Sequence, residues 1–370
     1  MKLELIFDAI FILVFLYLLL LVSAGSFARI RRERRELRLA VEGSAVEIPR
    51  FLLLGLIPGL AVSTALALLG VTISWPVLLA FVVLTVLGAA LPGFYSPLLY
   101  GLAGVGGLLC ARLAPGLLPR PTGSASVGFS LVLACVMLFA VVADLCAPYH
   151  SSPHIIRSHG RRRLQKRVRQ LIFLPLLVPV PGGMLKAWPL LKILSPEING
   201  LNFVLMPLVL GFGLSSFTSV RAQLRRRAVS DAALLAAAVV TAILASMHLI
   251  SSDDALLIVA GVALIGMGSL LLVPRREQNA LTDAAGGVRV VAVIPGTPAA
   301  KMGLQSGDTI LQCNGVDVPT ARAFYTATQH LGTFCRLRVR DGEGRFRLAE
   351  TAIFTGAPHM LGVMTFPEED

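Results

Sequence analysis

The sequence predicts a polytopic α-helical membrane bundle followed by one small α+β domain. Three observations carry this reading. The chain is 55% hydrophobic and only 15% charged, with a mean hydropathy of +0.78, where soluble domains carry roughly a quarter charged residues. Apolar stretches near the roughly 20 residues needed to cross a bilayer recur through the first 275 residues. After Arg276 the composition changes to short alternating runs separated by Gly, Pro and Asn, the pattern of strands and turns.

The first apolar stretch, residues 5–28, is longer than a signal-peptide core and lacks a basic leader, so it reads as a retained helix. Further spans are expected at 51–72, 75–94, 98–118, 127–147, 201–220, 232–250 and 255–273. Residues 171–194 are ambiguous. Pro175, Pro179, Pro181 and Pro189 interrupt them and Gly182-Gly183 lies between, so a helix there must be kinked, re-entrant or repaired by its neighbours.

Charge sets the expected orientation. Residues 280–370 hold 8 Lys/Arg against 9 Asp/Glu, which leaves 25 against 12 in the first 279 residues. Twenty of those 25 cations fall in four short runs, at 29–50, 157–169, 221–227 and 275–276. The positive-inside bias places all four in the cytoplasm and the Asp253-Asp254 turn outside. The count is then about eight to nine spans, with an external N-terminus and a cytoplasmic C-terminal domain. The expected division is 1–276 for the membrane helices, 277–287 for a linker and 288–370 for the domain. The excess charge is not a nucleic-acid signature, because no basic face with interleaved aromatics sits on a folded domain. The basic loops read first as topology determinants and headgroup contacts, and second as sites for anionic lipid or a partner.

Residues 288–293, VRVVAV, alternate as a strand, and 295–308 follow as PGTPAAKMGLQSGD. Pro295-Gly296 forms a turn, and Pro298 suits the first position of a short helix. Ala299 and Ala300 permit close packing, Gly303 stops the helix, and Gly307-Asp308 leads into a strand at 309–313. Asn314-Gly315 is a hairpin turn. A second helix is expected from Thr320 to about His330, between Pro319 and Gly332, and then strands at 335–340 and 345–350 around a turn at 341–344. This order and spacing resemble the PDZ family, in the variety found with bacterial proteases, over some 75 residues. One departure stands out. The hydrophobic-Gly-hydrophobic carboxylate loop of that variety precedes the first strand, yet here Leu361-Gly362-Val363-Met364 lies at the C-terminus. A circularly permuted strand order follows from the resemblance, with 363–366 as the strand that a guest peptide would extend. Backbone donors around Met360, Leu361 and Gly362 would receive a peptide carboxylate, beside Val363 and Met364. Phe324, Ala327 and Leu331 of the second helix would form the opposite wall. A plain closing strand without ligand is the competing reading.

No catalytic constellation is legible. A zinc protease needs HExxH, and none of His150, His154, His159, His248, His330 and His359 is followed by Glu. Gly266-Met267-Gly268-Ser269 is a loose Gly-x-Ser with no His in a following span, so it reads as helix packing. Asp144 and His248 fall near span ends and form no spread of buried carboxylates. Cys110, Cys135, Cys146, Cys313 and Cys335 show no CxxC spacing and read as reduced thiols. The sequence therefore predicts no enzyme, no metal and no cofactor.

Three stretches carry a further likeness: FARIRRERRELR at 27–38 followed by the span containing LIPG at 56–59; LIFLPLLVPVPGGMLKAWP at 171–189; and HMLGV at 359–363. Together they resemble the MinJ family of cell-division topological determinants of Gram-positive rods, over nearly the full length. The resemblance implies an adaptor at septum and poles that links the scaffold DivIVA to the division inhibitor MinD. A regulator that presents substrates to a protease, and a transporter with a regulatory PDZ domain, are the alternatives.

Overall fold

The computed structural model describes residues 2–37, 47–69, 71–90, 97–113, 123–146, 151–158, 161–185, 201–216, 220–272, 281–282, 286–329, 333–342, 344–352 and 361–366. The helices of the N-terminal region are α1 (Lys2–Leu37), α2 (Glu47–Leu69), α3 (Trp75–Ala90), α4 (Ala103–Leu113, entered through a 3-10 turn at Pro97–Leu102), α5 (Gly123–Cys146), α6 (Val220–Ser246) and α7 (Ser252–Leu271). Among the described residues, five helices are long and apolar enough to cross a membrane, within α1, α2, α5, α6 and α7. Those at Trp75–Ala90 and Pro97–Leu113 are apolar but shorter. Large side chains such as Leu20, Ile57, Leu60 and Ile265 are 70–78% exposed on their outer faces. Apolar patches of this extent suit lipid rather than water.

Two expected spans are not helices. Residues 171–185 and 201–216 belong to β2 (Arg161–Leu185) and β3 (Leu201–Ser216), which pair antiparallel, with Leu174 opposite Leu208 and Val178 opposite Val204. β1 (Ser151–Ser158) extends this sheet on β2. Leu174, Leu176, Val178, Val180, Val204, Met206, Leu208 and Leu210 are buried in one core with Phe81, Phe129, Met137 and Leu234 of the helices. The pair is thus an apolar hairpin enclosed by the bundle.

An open hairpin in an apolar medium must satisfy its outer backbone groups, since no water is available to do so. In β2 the odd-numbered residues turn these groups toward α2 and the segment that follows it. The amide of Leu177 donates to Ser63 Oγ at 2.8 Å, and the carbonyl of Pro179 accepts from the amide of Ile73 at 3.0 Å. Gly55 and Gly59 let α2 lie directly on this edge, because a Cβ at either would collide with the carbonyl of Phe173 or Pro175. Pro175, Pro179 and Pro181 have no N–H on that same edge. Proline is tolerated where a strand has no ladder partner. On β3, Pro207 stands opposite Pro175. The Tyr100 hydroxyl accepts from the Val209 amide at 3.1 Å and donates to its carbonyl at 2.8 Å. Arg227 Nη2 donates to the Gly211 carbonyl at 3.2 Å. Arg227 also faces Asp144 at 3.6 Å, and the fully buried Asp231 interacts with both.

The expected linker contains structure as well. β4 (Leu281–Thr282) pairs with β2 at Arg163 and Leu164. Beyond it lie β5 (Val288–Val293), the single turn α8 (Pro298–Lys301), β6 (Thr309–Cys313), β7 (Val316–Asp317), α9 (Ala321–Gln329), β8 (Phe334–Arg340), β9 (Phe346–Ala352) and β10 (Val363–Thr365). The sheet order is β10-β5-β6-β8-β9, with β7 on β6. Its core holds Val288, Val290, Ile310, Leu337 and Val339.

Candidate peptide-binding edge of the C-terminal domain

The alternation of β5 directs Val288 and Val290 inward, and the chain then turns into α8. Thr297 caps the turn in an extended conformation with Pro298 at the first helical position. Ala299 is fully buried, as close packing of the turn requires. Gly296, Gly303, Gly307, Asn314 and Gly315 all adopt positive φ, the conformation their expected turns demand. Asn314-Gly315 closes the β6–β7 hairpin, in which Cys313 pairs with Val316. Thr320 caps α9 by accepting from the Ala323 amide at 3.2 Å.

Asp308 is buried and accepts from the Gln305 amide at 3.0 Å and from Arg347 Nη2 at 2.7 Å. The same guanidinium donates to the carbonyls of Gly303 at 2.9 Å and Met302 at 3.3 Å. Arg347, on β9, therefore ties the end of α8 to the Gly307-Asp308 turn. Sequence reasoning missed it, because an arginine in an alternating strand carries no local sign of a partner 39 residues away. Cys313 and Cys335, on adjoining strands, hydrogen-bond through their thiols. That bond, followed by burial, holds the Cys335 thiol well above its ordinary range; the bond draws Cys313 down, against the upward push of burial.

The C-terminal strand completes the site. The Leu361 carbonyl accepts from the Ala299 amide at 3.0 Å, and the Gly362 carbonyl accepts from the Ile294 amide at 2.9 Å. Gly362 has φ +85°, and a Cβ there would run into the side chain of Thr297. From this loop β10 runs antiparallel to β5, with Val363 opposite Val293 and Met364 opposite Ala292, and an irregularity before Thr365. Among the described residues β10 is an edge of the sheet.

Leu361, Val363, Phe324 and Ala327 belong to one apolar cluster. Phe324 is 6% exposed and belongs to the core, whereas Ala327 is half-buried. Met364 is not on this side. It is buried on the opposite face of β10 with Val291 and Phe366, against Leu164 of β2. This corrects its expected place in the groove: successive residues of a strand face opposite ways. Met360 and Leu331 lie outside the described residues. Among the described residues no group of three or more metal-ligating side chains occurs.

The family model for the PDZ domain matches residues 289–340. The chain is 34% identical over 352 residues to a probable cell division topological determinant MinJ from Lacticaseibacillus paracasei, covering 92% of each chain. A protein of the same description from Lacticaseibacillus casei matches equally. The cell division topological determinant MinJ of Bacillus subtilis is 27% identical over 374 residues, covering 96% of this chain and 92% of its own. No solved structure matches. With kinship running through the membrane helices, the hairpin and the PDZ domain alike, the chain belongs to the MinJ family of cell division topological determinants.

Proposed function

We propose that the protein is a membrane-anchored adaptor in division-site selection, with a docking domain on the cytoplasmic side. It joins a DivIVA-like polar and septal scaffold to a MinD-like ATPase. The observation that carries this reading is the full-length kinship to cell division topological determinants, joined to a PDZ domain in the same chain. A domain held near the inner leaflet needs only modest affinity, because tethering raises the effective concentration of its partners.

The proposed docking site is the open edge of β10. A guest chain adds there as a further strand, its carboxylate received by backbone donors around Met360–Gly362, and Ala327 of α9 stands across the groove. The strand order is that of a circularly permuted PDZ domain, with the carboxylate loop moved to the C-terminus. Two observations support this: the PDZ match opens on β5, and β10 joins the outer edge of β5.

A fluorescent fusion imaged in dividing cells tests the adaptor. The expected result is enrichment at septum and poles that disappears when the curvature scaffold is deleted. Uniform membrane fluorescence in wild-type cells would falsify the reading. Ala327→Glu tests the groove without touching the loop, and septal enrichment should weaken while the protein level stays constant.

A further inference from the structure

The outer face of β5 and β10 is occupied by another part of the same chain. Val291, Met364 and Phe366 are buried against Leu164 of β2, with Ile155 of β1 and Ala292 and Ile294 at the margin. Independently, β4 adds to β2 at Arg163 and Leu164, so the chain is tied to the hairpin at this point before the domain begins. β2 then continues as one strand from Leu164 to Val180, deep among the helices. At about 3.3 Å per residue this is a rigid link of roughly 50 Å.

We propose that the PDZ domain works docked on this hairpin, and that the hairpin seat and the peptide edge are coupled through β10. The coupling rests on the peptide-edge reading above; the seat does not. β10 is three residues long. Val363 faces the groove cluster and Met364 the hairpin cluster, so neither face can shift without the other. Two ligands of one strand, a guest peptide and the hairpin, then bias each other reciprocally. The seat involves only a few apolar side chains, too few for a lasting complex between separate molecules. Within one chain the tether makes it sufficient and also releasable. A docked β10 is stiff and preorganised to accept a guest strand, so release lowers affinity.

The test uses the full chain in phosphatidylglycerol-containing nanodiscs, as wild type, Leu164→Asp and Phe366→Ser. The two variants attack the seat from opposite sides. Amide exchange over residues 361–366 should accelerate about tenfold or more in both, with β8 unchanged as the control for domain folding. Unaltered exchange at 361–366 in both variants overturns the docking. Peptides with free C-termini, selected by C-terminal display on wild-type nanodiscs, are then titrated onto Leu164→Asp. Binding weaker by about fivefold or more supports the coupling, and equal or tighter binding overturns it. A selection that returns no peptide sinks the peptide-edge reading, and the coupling with it, while the exchange result on docking stands.

Discussion

Gly362 shows how one residue can combine a folding role with a proposed binding role. Its φ of +85° disfavours any side chain, and Thr297 fills the space where a Cβ would go. Its carbonyl also anchors the end of β5 through Ile294. Gly362→Ala is therefore expected to destabilise the C-terminal domain by about 2 kcal/mol or more, from left-handed strain plus displacement of Thr297. Urea unfolding of the full chain in detergent, followed by exchange over residues 288–352, measures this. A variant as stable as wild type would mean that the loop is not held against Thr297. Because the substitution damages folding, loss of partner binding in any Gly362 variant says little about a carboxylate loop. Ala327, half-buried on α9, is the cleaner probe. The glycine itself was legible in the sequence as the centre of a hydrophobic-Gly-hydrophobic signature. Its clash with Thr297 was not, since 65 residues separate the two.

The C-terminal domain was readable element by element, because turn chemistry is local. Gly303 at a helix end and Asn314-Gly315 at a hairpin need only their own backbone geometry to be identified. The apolar hairpin was not readable, for a physical reason. A strand buried on both faces shows no alternation, so in a hydrophobic run it looks like a membrane helix. The prolines held the missing information in their parity. Pro175, Pro179 and Pro181 are separated by even steps, which places every absent N–H on one edge of a strand. A helix would put Pro175 and Pro179 on one face and Pro181 on another. This assigns opposite costs to neighbouring substitutions. Leu176→Pro removes a ladder donor facing β3 and should cost about 3 kcal/mol or more. Pro175→Ala introduces an N–H on the edge covered by α2, where no strand can receive it. It should cost about 1–3 kcal/mol, although proline is normally the poorer strand residue. Thermal unfolding in detergent micelles distinguishes the two, and a stabilised Pro175→Ala protein would show that this edge is wet.

At the scale of the whole molecule, the hairpin changes the number of crossings without changing the proposed orientation. Residues 171–194 and 201–220 were expected to cross once each, outward and back. Replacing both by a hairpin that enters the bundle and returns removes two crossings and leaves every later segment on its original side. The adjacent helices α6 and α7 join through the turn that precedes Asp253-Asp254. The basic run 221–227 and the C-terminal end of α7 therefore fall toward the same end of this pair, and the positive-inside bias favours the cytoplasm for that end. In the proposed orientation, with α3 and α4 crossing beside the five longer helices, seven helices would carry the chain from an external N-terminus to an internal PDZ domain. The prediction is concrete. In a background stripped of native thiols, Ser252→Cys should react with a membrane-impermeant maleimide on intact protoplasts. A cysteine replacing Gln305 on the PDZ domain should react only after lysis. The reverse pattern would invert the molecule and put the PDZ domain out of reach of any cytoplasmic scaffold, so it would remove the adaptor mechanism along with the topology. Labelling of both sites before lysis would instead require further crossings, odd in number, between α7 and the domain. The connector cannot supply these, because β4 within it is already paired to the hairpin.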